Sequence, residues 1–143
     1  MSSSWIAVTA VLIAAFGLAF AIGRLMTLRS GRIKGARESP ALGEDDIAAL
    51  GLSGTGPTVL HFTAAWCGPC AAVRRVVDRV CADLPDVAHA EIDMDANPEA
   101  ARKLSVLSLP TTFIFDADGR QRYRASGVPT AADLRSALSV LLA

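Results

Sequence analysis

Residues 58–70 read TVLHFTAAWCGPC, from Thr58 to Cys70. The first six, Thr58–Thr63, form a β-branched and aromatic run that predicts a buried strand. From Cys67 to Asp83 the pattern changes to a helical period. Val73, Val76, Val77, Val80 and Leu84 fall on one stripe, and Arg74, Arg75, Asp78 and Arg79 on the other. A strand therefore runs into an amphipathic helix, with two cysteines, separated by two residues, at the junction.

Outward from this stretch, strand-like and helix-like segments alternate. Glu44–Leu50 reads as a short acidic helix ended by Gly51. Val87–Met94 reads as a second strand, and Asn97 caps a helix that has Pro98 at its first position and runs to Ser105. Thr111–Phe115 and Gln121–Ala125 flank the turn Asp116-Ala117-Asp118-Gly119 and predict a hairpin. Thr130-Ala131-Ala132-Asp133 resembles a capping box opening a last helix with Leu134, Leu138, Leu141 and Leu142. The order αβαβαββα predicts an α/β domain: a central mixed β-sheet flanked by helices, large enough to bury a viable core.

The chain has 143 residues, with 14 Lys+Arg balanced by 14 Asp+Glu, and a mean hydropathy of +0.39. Neutrality argues against nucleic acid as a partner, but the sum conceals an asymmetry. Residues 1–37 hold Arg24, Arg29, Arg32, Lys34 and Arg37 and no acid, whereas residues 38–143 hold nine cations and all 14 acids. Residues 1–23 carry no ionisable side chain, and Trp5–Ile22 is apolar except for Thr9 and Gly17. About 20 such residues cross a hydrocarbon layer of about 30 Å. Residues 1–28 are therefore read as one transmembrane helix, 29–41 as a basic juxtamembrane linker in contact with membrane lipid, and 42–143 as the folded domain. A buried core helix is a poor alternative in so short a chain. A cleaved signal peptide is a better one, given Ala19-Phe20-Ala21, although a basic n-region is missing. The cations after the span place the domain on the cytoplasmic side of the cell membrane by the positive-inside rule, with the extracytoplasmic side as the alternative.

A Cys-x-x-Cys pair at a helix start can close a small disulfide ring with little backbone movement. The first cysteine lies where unpaired helix N–H groups favour a thiolate, and the second is shielded a turn inside. Such a pair can exchange with another disulfide through a mixed disulfide. The competing use is a zinc half-site, but zinc takes four ligands and the sequence has no second Cys-x-x-Cys, so no metal is expected.

Over residues 42–143 the chain resembles a thioredoxin. Trp66-Cys67-Gly68-Pro69-Cys70 is similar to the family's active-site sequence, and Leu109-Pro110-Thr111, 40 residues later, to its cis-proline segment. Asp95 with Asn97-Pro98, Asp118-Gly119 and Gly127 also stand at family positions. The resemblance implies a thioredoxin-like fold, Cys67 as attacking thiolate and Cys70 as resolving thiol. It also implies a groove shaped by Trp66, Gly68, Pro69, Leu109, Pro110, Thr111 and Gly127, and a potential near the family's reducing end, about −270 mV.

Three positions depart from the family. His61 stands where the family has a buried Asp, Glu91 where it has a buried Lys, and Thr63 where it often has a second Trp. His61 is expected to relay the proton of Cys70, with Glu91 holding its tautomer and charge. His89 shares the strand face of Glu91 and is given a structural role, and Cys81 is read as a small buried hydrophobe. Arg120, Arg122 and Arg124 alternate as if along a solvated sheet edge.

These readings imply a membrane-tethered thiol-disulfide oxidoreductase that reduces disulfide-containing protein substrates by dithiol exchange. It needs no bound cofactor and is recycled by a thiol reductant such as a thioredoxin reductase or a membrane thiol carrier. Two alternatives keep the same residues. One is an extracytoplasmic oxidoreductase for disulfide isomerisation or cytochrome maturation; the other is a non-catalytic binding module.

Overall fold

The computed structural model describes residues 2–36 and 41–143, with side chains from Trp5 onward. Arg37 and the rest of the linker stretch 37–40 lie outside the described residues. The chain divides into two units, Met1–Ser30 and Gly31–Ala143. The first is helix α1 (Ser2–Arg29), long and apolar enough to cross a membrane, with its described side chains exposed.

The second unit is a five-stranded sheet with helices on both faces. Its elements are β1 (Lys34–Gly35), α2 (Glu44–Ala49), β2 (Thr58–Thr63), α3 (Cys70–Asp83), β3 (Ala88–Asp93), α4 (Pro98–Lys103), β4 (Thr111–Phe115), β5 (Gln121–Ser126) and α5 (Ala131–Leu142). The strand order is β1-β5-β4-β2-β3. Strand β2 pairs parallel to β3 and antiparallel to β4, so the sheet is mixed. Five of its six residues are buried, as the apolar run from Thr58 requires of a strand covered on both faces.

Alternation along β2 divides the core. Val59 packs with Val73, Val77 and Val80 of α3 and Leu134 and Leu138 of α5. Leu60 and Phe62 pack on the other face with Phe113, Phe115, Ala101 and Leu104. Phe62 meets Phe113 edge to face, with ring centroids 5.9 Å apart. Cys81 is unpaired and half-buried against the first cluster, and burial raises its thiol pKa. At the start of α5, Thr130 accepts a hydrogen bond from the Asp133 amide, the expected cap.

Two expectations need correction. Helix α3 begins at Cys70 rather than Cys67, because Pro69 occupies its N-cap and Cys67 sits in a turn, its amide bonded to the Ala64 carbonyl. The arginines of β5 do not line an open edge, because β1 covers that strand, Lys34 opposite Arg124. Arg124 stacks 4.9 Å above the Phe113 ring and donates to the carbonyls of Leu104 and Ser105, capping the end of α4. Arg122 pairs with Asp116.

The short strand β1 lies within the stretch read as linker. Gly31, just before it, donates to the Ser126 carbonyl. Its φ is +82°, and a Cβ there would overlap the Val128 carbonyl oxygen. Only glycine fits. We expect Gly31→Ala to destabilise the domain by at least about 2 kcal/mol in thermal unfolding of the full chain in detergent. Gly35→Ala, with nothing near its Cβ position, should be close to neutral.

Candidate active site

The pairing of strands brings three separate loops to one end of the sheet. β2 ends at Thr63 and leads into the Cys67–Cys70 turn. Phe62 is paired with Thr111, and Thr111 with Ser126, so the Leu109–Pro110 segment and the Gly127 turn arrive beside it. The Leu109–Pro110 peptide is cis. Gly127, at φ +90°, donates its amide to the Pro110 carbonyl, which ties the two loops together.

Cys67 and Cys70 form a disulfide with Cα atoms 5.5 Å apart, within the normal range for such a bridge. Their environments differ as an attacking and a resolving sulfur require. Cys67 is half-buried, whereas Cys70 is 3% exposed and its Sγ lies 3.8 Å from the Phe62 carbonyl. Gly68 and Pro69 are exposed beside them. Trp66 is 66% exposed, held at its far end by a 2.9 Å hydrogen bond from Nε1 to Asp95 Oδ2. Leu107, just ahead of the Leu109–Pro110 peptide in the chain, is also exposed, an apolar residue the sequence reading did not single out.

A polar cluster surrounds buried His61, its other members partly or largely exposed. The His61 side chain is completely buried, next in sequence to the Phe62 that Cys70 touches. His61 is the register partner of Glu91 in β3 and of Thr112 in β4. Its Nε2 stands 3.1 Å from Glu91 Oε2, but outside hydrogen-bond geometry. His61 Nε2 and Thr112 Oγ1 are thus buried polar atoms without a hydrogen-bond partner among the described residues. The other ring nitrogen, Nδ1, is 3.1 Å from His89 Nε2, and the rings stack with centroids 5.1 Å apart. His89 Nδ1 is 2.9 Å from Asp78 Oδ1.

From α3, Arg74 donates Nε to Glu91 Oε2 at 2.7 Å and Nη2 to Glu91 Oε1. The Arg74 hydrogen bond keeps Glu91 below its usual pKa, against the opposing effect of burial. Burial lowers the His61 pKa from 6.5 to about 4, outweighing the attraction of Glu91. His61 is therefore neutral at neutral pH. Donor atoms of His61, His89 and Glu91 lie within 4.8 Å of one another. As metal ligands they fit poorly, because the Arg74 guanidinium bonded to both Glu91 oxygens puts a fixed positive charge beside any cation held there.

His61 and Glu91 thus stand side by side, but without a hydrogen bond through which Glu91 could hold the ring's tautomer, and His89, Arg74 and Asp78 join them. A signal for the last two was present: Cys70, Arg74 and Asp78 recur every four residues, which puts them on one face of α3.

The thioredoxin family model matches residues 48–140. The thioredoxin of Mycolicibacterium smegmatis is 36% identical over 102 residues, 69% of this chain and 90% of its own length. That of Mycobacterium tuberculosis is 38% identical over 89 residues, 62% of this chain and 76% of its own. Among solved structures, a mutant thioredoxin from Halobacterium salinarum superposes with a TM-score of 0.59 at 29% identity, covering 71% of this chain and 87% of its own. Fasciola hepatica thioredoxin superposes at 0.53 and 28% identity, covering 86% and 93%. A redox-active cysteine pair on this fold, with sequence relatives over most of their length, leaves one assignment: the chain belongs to the thioredoxin family and is a thiol-disulfide oxidoreductase.

Proposed function

We propose that the protein reduces protein disulfides at a membrane to which helix α1 tethers it, with Cys67 as nucleophile and Cys70 as resolving thiol. The observation that carries this reading is the unequal exposure of the two sulfurs at the meeting point of three loops. A substrate disulfide can reach Cys67 but not Cys70. The Cys67 thiolate attacks one substrate sulfur, forming a mixed disulfide and releasing the other as thiolate. Cys70 then attacks Cys67, closing the internal disulfide and releasing the second substrate thiolate. An external dithiol restores the reduced pair. Trp66, Gly68, Pro69, Leu109, Pro110, Thr111 and Gly127 form the groove in which the substrate chain lies. His61 takes the Cys70 proton and Glu91 stabilises the resulting imidazolium.

Insulin reduction by the full chain in detergent, with dithiothreitol as electron source, tests the activity. Turnover is expected, and Cys67→Ser should lower it more than about 1,000-fold, while Cys70→Ser should accumulate the mixed disulfide. Capture of insulin without turnover would support a binding module instead.

The cations after the span, Arg24, Arg29, Arg32 and Lys34 among the described residues, support a domain on the cytoplasmic side. In cells expressing Cys81→Ser and treated with a permeant reductant, an impermeant maleimide should label Cys67 only after the membrane is opened. Labelling of intact cells would place the domain outside.

Burial of neutral His61 also sets a pH dependence. Its folded pKa, about 4, lies below its unfolded 6.5, so the unfolded chain binds the extra proton in that window. Stability is full above about pH 6.5 and falls toward pH 4, by on the order of 3 kcal/mol. The depressed Glu91 pKa acts in the same direction. Thermal melts against pH should show this fall, and His61→Gln should flatten it.

A further inference from the structure

The row of groups behind Cys70 has a direction. Asp78 is a carboxylate and only accepts hydrogen bonds, so the His89 nitrogen facing it, Nδ1 at 2.9 Å, carries the proton. When the ring holds only that proton, His89 presents a bare Nε2 to His61. The His61 nitrogen facing it, Nδ1 at 3.1 Å, must be the donor. In that state His61 Nε2 holds the lone pair, and it is the buried nitrogen without a hydrogen-bond partner among the described residues, Glu91 Oε2 standing 3.1 Å away but outside hydrogen-bond geometry.

The row also has two ends. Cys70, Arg74 and Asp78 succeed one another along one face of α3 at four-residue intervals. Asp78 meets His89 at the far end, and Arg74 meets Glu91 one turn nearer Cys70. His61 spans the two, with Nδ1 toward His89 and Nε2 toward Glu91. The free lone pair is thus at the Cys70 end of the ring.

We propose that His89 and Asp78 are positioning residues: they lock His61 in the Nδ1–H tautomer, so that Nε2 is the atom that receives the proton of Cys70. This rests on the reading of His61 as the base. In the resolving step the Cys70 S–H proton passes to His61 Nε2, and the freed sulfur pair forms the Cys67–Cys70 bond. The mixed-disulfide bond breaks, and its electrons leave with the substrate sulfur as a thiolate. His61 Nε2–H then carries a positive charge 3.1 Å from Glu91 Oε2, whose carboxylate stabilises the imidazolium as an ion pair. The proton finally moves to the released thiolate or to solvent at the part-exposed Glu91. Among the described residues, the charged or titratable groups that act on the ring are Glu91 and His89 of β3 and Arg74 and Asp78 of α3. In β4 the register partner of His61 is Thr112, whose hydroxyl carries no charge.

The inference is tested with the full chain in detergent, by following formation and resolution of the mixed disulfide with a cystine peptide between pH 5 and 9. His89→Ala should leave formation unchanged and slow resolution about 10-fold near pH 7, with an altered pH profile. His89→Gln, whose amide can accept from His61 and donate to Asp78, should recover most of the rate. Nitrogen chemical shifts should show His61 Nε2 unprotonated at neutral pH in the parent and a change of tautomer in His89→Ala. His61→Ala separates the two layers. If it slows formation and resolution equally, the base reading fails. If it slows resolution selectively, but the parent carries its proton on Nε2 or His89→Ala resolves at the parent rate, the positioning role alone is overturned.

Discussion

Strand β2 is hydrogen-bonded along both sides and covered on both faces, and the site is a consequence of that confinement. A strand so held cannot shift register without moving every side chain to the wrong face. Its C-terminal end is therefore a fixed point, from which the cysteine turn departs and beside which the cis-proline and Gly127 loops are delivered. The groove needs no dedicated scaffold; the register of three strands builds it.

The same confinement makes His61 costly. An imidazole at the centre of a sheet must stay neutral or find charge and hydrogen bonds nearby. The structure supplies both, from the next strand and from one face of α3. Where the family pattern pairs a buried acid with a lysine, this chain places a base against an acid and holds that acid with an arginine. On the proposed reading, the exchange preserves a proton acceptor for the resolving sulfur. It changes the charge of that acceptor before and after the proton arrives, from negative-to-neutral into neutral-to-positive. Glu91 and Arg74 are then understood together: the carboxylate offsets the charge of a protonated ring, and the guanidinium keeps the carboxylate ionised when the ring is neutral.

Much of this was legible in the residues. The apolar run from Thr58, the valine stripe of α3 and the turn at Asp116–Gly119 each obey one local periodicity, and the elements they form agree with the reading. The Cys67–Cys70 pair located the site because its chemistry depends on residue type and spacing, whereas Leu109–Pro110 was found through its likeness to the family's cis-proline segment. The His61–Glu91 meeting was readable only through correspondence with a family pattern. His89 and Asp78 were not read as partners, since a histidine on a strand and an aspartate on a helix face are each unremarkable until parallel pairing of β2 and β3 and the packing of α3 bring them together. The arginines of β5 misled for a similar reason: alternation along a strand shows which face a residue takes, but not whether another strand lies alongside.

That neighbouring strand has a further consequence. Lys34 and Gly35 belong by sequence to the segment next to the apolar helix, yet they complete the sheet by covering β5, and Gly31 is fitted against Val128 in a way no other residue permits. A protease that cut between β1 and α2 would free the redox domain without its outermost strand, which would remain with the apolar helix. The shed fragment would carry an open β5 edge, prone to pair with another copy. The sheet is complete only while it keeps the residues that follow the apolar helix, so on the proposed tethered reading its integrity and its attachment are coupled.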